Sequence, residues 1–185
     1  MCGFIGIRCP AGSSGPDASH LQAGLNAMRN RGPDCQAVYL NEWLGIGHAR
    51  LSIIDLSSAA TQPMVDASGK YVIVFNGEIY NYQELREDLE SRGHRFYTKS
   101  DTETIMHLYD EYGVDCVQHL RGMYAFAIWD ETEKALFLAR DRVGKKPILY
   151  SHRANGDLIF GSEFQALLQH PSISREVDYD AIDSY

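Results

Sequence analysis

Cys2 has more chemistry within reach of its position than any other residue in the chain. Initiator methionine is usually removed when the second residue is small, and cysteine qualifies. Cys2 then becomes the N-terminus, with a thiol and a free α-amine on one residue. Their reference pKa values, about 8.5 and about 7.7–8.0, let both exchange protons near neutral pH. The amine can act as general base for the thiol, directly or through a water, with no histidine partner. Taken alone, Cys2 also reads as an ordinary second-residue cysteine. Cys9, Cys35 and Cys116 form no C-x-x-C pair, no H-E-x-x-H occurs, and the seven histidines show no ligand spacing. A zinc site therefore has little support. Four thiols are sparse for a disulfide scaffold and are expected to be free. Gly45-Ile46-Gly47 opens like a phosphate loop, but Arg50 stands where the third glycine belongs, so a nucleotide reading falls.

The elements that must position Cys2 can be read from periodicity and turn signals. Residues 10–19 are rich in Gly, Ser and Pro and read as a loop. A helix follows, with Ser19 as the expected N-cap and Leu21, Leu25 and Met28 on one face. It stops at Arg31-Gly32-Pro33-Asp34, a turn sequence. Strands are expected over 37–40 and 44–54, then over 71–75, where Asn76-Gly77 is a turn-forming dipeptide. Two amphipathic helices, 82–92 and 102–112, end at Gly93 and Gly113. Ser100 and Glu103 have capping-box spacing at the start of the second. Short strands are expected over 123–129, 135–139, 148–151 and 158–160, then a short helix over 164–168. Residues 177–185 read as a helix beginning, capped by Asp178 or Asp180, and the native chain is expected to continue beyond it. Strands, a helix pair, then strands again point to α+β architecture with antiparallel sheets, not to alternating βαβ units. Two stacked sheets between helical layers would bury so many two-faced apolar strands.

Composition sets the outer limits. The 185 residues suffice for one domain with a substantial core. Seventeen basic against 25 acidic residues give a net charge of −8, which argues against nucleic acid as a partner. Hydrophobic and charged contents of 44% and 23% are ordinary for a globular domain. The apolar runs are strand-length, and the N-terminus lacks the basic and long apolar stretches of a signal peptide. No membrane association and a cytoplasmic location are therefore expected.

Eight stretches, in order along the chain, resemble the class II, N-terminal-nucleophile glutamine amidotransferases. The similarity is greatest to the glutaminase domain of glutamine-hydrolysing asparagine synthetases. They are Met1-Cys2-Gly3-Phe4-Ile5-Gly6, Arg31-Gly32-Pro33-Asp34, His48-Ala49-Arg50-Leu51-Ser52-Ile53, Asn76-Gly77-Glu78-Ile79-Tyr80-Asn81 and Ser100-Asp101-Thr102-Glu103. Residues 122–127, 139–147 and 161–163 complete the set. The resemblance implies a four-layer αββα sandwich of two antiparallel sheets flanked by helices, spanning 1–185 as one glutaminase domain. It also implies L-glutamine as substrate and a synthetase domain, in cis or in trans, as consumer of the ammonia. No cofactor is implied for this domain. ATP and Mg²⁺ are expected only in the synthetase domain, whose Ser-Gly-Gly-x-Asp-Ser loop does not occur here.

Residue by residue, the resemblance makes Cys2 the nucleophile and Asn76 and Gly77 the oxyanion donors. It gives Arg50 the glutamine carboxylate, which a guanidinium can hold through two parallel hydrogen bonds. Leu51 and Ile53 would line the same pocket and offer backbone groups. Glu78 can take the substrate ammonium, and the aspartate at position 101 binds the amino group in the resembling family. The charges of 140–146 read as a solvated face. A pocket that binds glutamine without turning it over, as a regulatory module, is the alternative. Oligomeric state cannot be read from these residues.

Overall fold

The structure, a computed structural model, describes residues 1–177 and 179–183. One sheet has five strands in the order β2 (Cys35–Leu40), β3 (Leu44–Arg50), β1 (Gly3–Arg8), β9 (Leu158–Gly161) and β8 (Leu149–His152). The other has four, in the order β4 (Met64–Val65), β5 (Tyr71–Ile79), β6 (Gly122–Asp130) and β7 (Ala135–Arg140). Every pairing is antiparallel. Alternation along each strand sends side chains to two faces, and both faces of both sheets are covered. Phe4, Leu44, Ile46 and Phe160 of the first sheet meet Val72, Val74, Ala127 and Trp129 of the second. Full burial of such aliphatic and phenylalanine side chains contributes about 1.5–3 kcal/mol each.

The outer faces are closed by helices. Ile5 and Ile7 pack under α1 (Ala18–Ala27) and α4 (Phe164–Leu167), against Leu21, Leu25, Met28 and Ala166. Ile73, Phe75, Phe126 and Ile128 pack under α2 (Tyr82–Ser91) and α3 (Asp101–Tyr112), against Leu89, Ile105 and Leu108. Four layers result, as the resemblance implied. A last helix, α5, runs over Tyr179–Asp183, so Asp180 lies inside it, and position 178 is outside the described residues.

Several local expectations are corrected. Asp17, not Ser19, caps α1, because its carboxylate accepts from Ser19 N at 2.7 Å. The strand begun at Leu44 ends at Arg50, where the chain turns into a loop. Asn76-Gly77 does not turn: β5 continues to Ile79, held by β6 through the pairs Asn76–Ala125 and Gly77–Tyr124. Ser100 caps α3 by accepting from Thr102 N, but Glu103 does not return to Ser100 N. It accepts instead from Tyr97 N and Thr98 N, tying the loop ahead of the helix.

Candidate active site

β1 is hydrogen-bonded on both flanks, and its first residue pairs with Ala49 of β3. Cys2 sits one residue before it and is fixed by that register beside the end of β3. Leu51 N donates to Cys2 Sγ at 3.3 Å, and Sγ can donate to Leu51 O at 3.4 Å. Burial pushes the thiol pKa up; the Leu51 N–H, the terminal charge and Arg50 pull it down without cancelling that rise. Arg50, the last residue of β3, is buried and donates through Nη1 to Ser57 O at 3.0 Å and through Nη2 to Asp55 O. Those two bonds close loop 51–57 over the site, with half-buried Leu51 and exposed Ile53 along it.

The second wall is an interrupted sheet edge. Tyr80 N donates to Arg121 O of the β6 side, and Lys70 O accepts from Glu131 N, so even-numbered positions of β5 face β6. Odd-numbered positions face the other edge. β4 covers that edge only as far as Ile73. Beyond it, side chains replace the missing strand. Gln62 Oε1 accepts from Phe75 N at 2.6 Å, His48 Nε2 donates to Phe75 O at 3.1 Å, and Asp101 Oδ2 accepts from Ile79 N at 3.0 Å. Burial drives His48 down to about 4, which keeps the ring neutral. Between these bonds the Gly77 N–H points out of the same edge toward the cavity. Only glycine fits at 77, since a Cβ there would lie 2.2 Å from Met123 O and 2.8 Å from Tyr124 Cα.

Asn76 is buried with its side chain toward Cys2. Both ends of its amide are satisfied when Nδ2 donates to Cys2 O at 3.0 Å and Oδ1 accepts from Arg31 Nη2 at 3.2 Å. Arg31 also donates through Nε to Cys2 O at 3.0 Å and through Nη1 to Glu163 Oε1 at 2.7 Å. By sequence Arg31 reads as the start of a turn and of a family-like stretch, with no role of its own. Gln62 and His48 were likewise missed, and no local pattern marks them. Lys146 was placed on a solvated face, yet it is 6% exposed and lines the cavity, with Nζ 3.1 Å from Met1 Sδ. Asp141 in the same run is also buried. Burial opposes its ionisation, but N–H groups of Lys145, Lys146, Tyr124 and Val143 outweigh that and hold its pKa down.

All eight residues singled out from the sequence line one cavity of about 200 Å³. Pockets for drug-sized ligands run to about 300–1,000 Å³, so this one suits a single amino acid. Arg50 supplies a cation to its lining, and Asp101 and exposed Glu78 supply carboxylates. Cys2, Asn76 and Gly77 line the same cavity, with the Asn76 amide against the Cys2 carbonyl. Burial raises Asp101 to about 6, against the pull of the Ile79 N–H and with a small push from Glu78. Cys2, Cys9, Cys35 and Cys116 are all free. Among the described residues no helix is long and apolar enough to cross a membrane, and no cluster of three or more His, Cys, Asp or Glu is placed to hold a metal.

Two antiparallel sheets between helical layers, with a cysteine-centred cavity at the strand ends, define the N-terminal-nucleophile amidotransferase fold. A glutamine phosphoribosylpyrophosphate amidotransferase from B. subtilis shares it, with a TM-score of 0.75 at 21% identity over 89% of this chain and 42% of that one. A family model described as a glutamine amidotransferase domain matches residues 1–185, and the chain belongs to that family. Glutamine-hydrolysing asparagine synthetase 3 of Bacillus subtilis is 43% identical over 180 residues, which are 96% of this chain and 29% of that protein. Glutamine-hydrolysing asparagine synthetase 2 of Oryza sativa subsp. japonica is 37% identical over 90% of this chain and 28% of its own length. The chain thus spans less than a third of the length of these relatives.

Proposed function

We propose that this domain hydrolyses L-glutamine to L-glutamate and ammonia, with Cys2 as nucleophile and a thioester as intermediate. Arg50 holds the substrate carboxylate, and Asp101 and Glu78 hold its ammonium, which leaves the carboxamide directed at the thiol. Sγ attacks the carboxamide carbon, and its proton passes to the Cys2 α-amine freed by removal of Met1. Asn76 Nδ2 and Gly77 N–H donate to the oxygen that becomes negative. The amine returns the proton to the departing nitrogen, ammonia leaves, and an acyl-thioester remains. Water then adds to it, again through an oxyanion, and glutamate departs as the thiol is restored.

The observation that supports this most is that Cys2 and two donors from one strand, Asn76 and Gly77, line a single cavity with Arg50, Glu78 and Asp101. The ammonia would pass to a synthetase domain of the asparagine synthetase type, in cis or in trans. Any ATP and Mg²⁺ belong there, and this domain works without a cofactor. Met1 supports one competing state: while it is attached, the Cys2 nitrogen is an amide and not a base, and the pocket binds glutamine silently. Mass spectrometry of the N-terminus, with ammonia release from wild type and Cys2→Ala, decides the matter. Processed wild type should turn over and Cys2→Ala should not, while still binding glutamine. Ammonia release by a clean Cys2→Ala preparation sinks the mechanism.

A further inference from the structure

Gln62 is buried two residues ahead of β4, and the register of Met64 with Ile73 places it opposite Phe75. Its side chain stands in for a strand there. Oε1 accepts from Phe75 N at 2.6 Å, and Nε2 donates to buried Thr102 Oγ1 at 3.1 Å. One planar amide therefore joins β5 to the first turn of α3, with its acceptor used on the strand and a donor used on the helix. A second bond joins the same two elements, from Ile79 N to Asp101 Oδ2 at 3.0 Å. The two ties lie on one edge of β5, two residues to either side of Gly77. Asn76 and Gly77 are thus bracketed by bonds to the turn that carries Asp101. His48 Nε2 holds Phe75 O at 3.1 Å, so the residue ahead of Asn76 is clamped through both of its backbone groups.

From this bracketing we infer that Gln62 is a positioning residue. Acting through Phe75 and Thr102, it fixes how far the oxyanion donors stand from the carboxylate that takes the substrate ammonium. The inference rests on the roles given to Asn76, Gly77 and Asp101 above. Glutamine carries its amino group and its carboxamide a set run of carbons apart. Gripped at the amino end, it reaches the donors only while that span is kept, and a displacement of about 1 Å can cost roughly 10²-fold in rate. A bond that merely patches an open strand edge makes a different forecast. For such a patch the Phe75 N–H is all that matters, and the link onward to Thr102 carries nothing for turnover.

The test is steady-state glutamine hydrolysis by Thr102→Val, Gln62→Met, their double variant and Cys2→Ala. Alkylation of Cys2 by iodoacetamide, followed by mass spectrometry of the N-terminal peptide, runs beside it. Thr102→Val leaves Gln62 Oε1 on Phe75 N and cuts only the link to α3. It should lower kcat roughly 3- to 10-fold with KM within about twofold, because Arg50 and Asp101 are untouched. Gln62→Met cuts both links and should lower kcat roughly 10- to 100-fold in the same pattern. The double variant should be no slower than Gln62→Met, since two residues serving one link do not add. Iodoacetamide needs the thiol and none of the glutamine contacts, so its rate should stay within about twofold of wild type in Thr102→Val, Gln62→Met and the double variant. Wild-type kcat in Thr102→Val overturns the inference. So does a loss confined to KM, or alkylation slowed in step with turnover, which would mean a damaged nucleophile. Should Gln62→Met fold poorly, Thr102→Val alone decides. Cys2→Ala keeps the two failures apart: ammonia release by it overturns the glutaminase reading itself. Its silence, together with normal turnover in Thr102→Val, overturns the positioning role alone.

Discussion

Ile79 N–H donates to Asp101 Oδ2 at 3.0 Å, so the carboxylate proposed to receive the substrate ammonium also ties down the open edge of β5. Recognition and architecture share one side chain at the start of α3. The arrangement is tense, because a buried carboxylate resists ionisation while its ligand needs it charged.

That tension has a pH signature. Burial lifts Asp101 from 3.8 to about 6, so the folded state holds this proton more tightly than the unfolded chain does. Its contribution to stability is present below pH 4 and lost as pH rises through 6. Asp101→Asn, which keeps an acceptor for Ile79 N–H, should therefore raise Tm at pH 7, and the gain should vanish near pH 4. A rise of that size corresponds to at most about 3 kcal/mol. Glutamine capture follows the opposite demand: wild-type KM should climb as pH falls through 6, and Asp101→Asn should show a high KM with no such inflection. Calorimetry across pH and a KM–pH profile check both halves.

Asn76→Ala removes a donor aimed at charge that develops only during reaction. Its kcat should fall by about 10²–10³, equivalent to about 2.7–4 kcal/mol, with glutamine affinity little changed. Isothermal titration on a Cys2→Ala background, beside kcat measured with Cys2 intact, separates the two quantities. A variant with normal kcat and weak binding would mean the ends of the pocket have been assigned backwards.

Arg50→Lys should be felt twice. Two of the guanidinium nitrogens already hold Asp55 O and Ser57 O, so the substitution loosens loop 51–57 as well as the carboxylate grip. Losing about 1.4 kcal/mol of binding raises KM about tenfold. Because binding remote from the scissile group also orients it, kcat should drop too. Limited proteolysis should cut the loop faster in the variant, and glutamine should slow the cutting less than it does in wild type.

Gly77→Ala forces a methyl group against the backbone of β6, 2.2 Å from Met123 O. Backbone cannot rotate away as a side-chain tip can, so overpacking at the usual cost of about 1–3 kcal/mol is the minimum expected. Tm should fall by several degrees, and residual folded protein should turn over poorly because the 77 N–H is displaced. A thermal melt and kcat on one preparation suffice.

Legibility from sequence followed the range of the forces involved. The apolar run of β5 and the stripe Leu21-Leu25-Met28 were readable because burial periodicity is local. Asn76-Gly77 misled because the pair favours turns in isolation, whereas nine consecutive pairings with β6 overrule that preference. Glu103 had capping-box spacing, but the Tyr97 and Thr98 N–H groups were nearer partners, which spacing alone does not reveal. Within the site, Cys2 stood out through its own chemistry, while Arg50, Glu78 and Asp101 came from family resemblance. Gln62 and Lys146 reach the cavity wall, and Arg31 and His48 support it through contacts to Cys2 and Phe75 across 29 and 27 residues, and nothing in a linear pattern encodes them.

β4 is two residues long and lies beside a strand of nine. A longer β4 would offer its carbonyls to the β5 edge, cap Gly77 and leave a more regular but inert sandwich. Gln62, His48 and Asp101 side chains occupy that stretch at Phe75 and Ile79, and the Gly77 N–H between them is left for a backbone carbonyl as well as for substrate. A short extended peptide presenting a carbonyl opposite residue 77 is expected to inhibit competitively with glutamine, by finishing the sheet and without resembling an amino acid. Extending β4 back from Met64 by four residues, to the position opposite Gly77, would build that inhibitor into the chain.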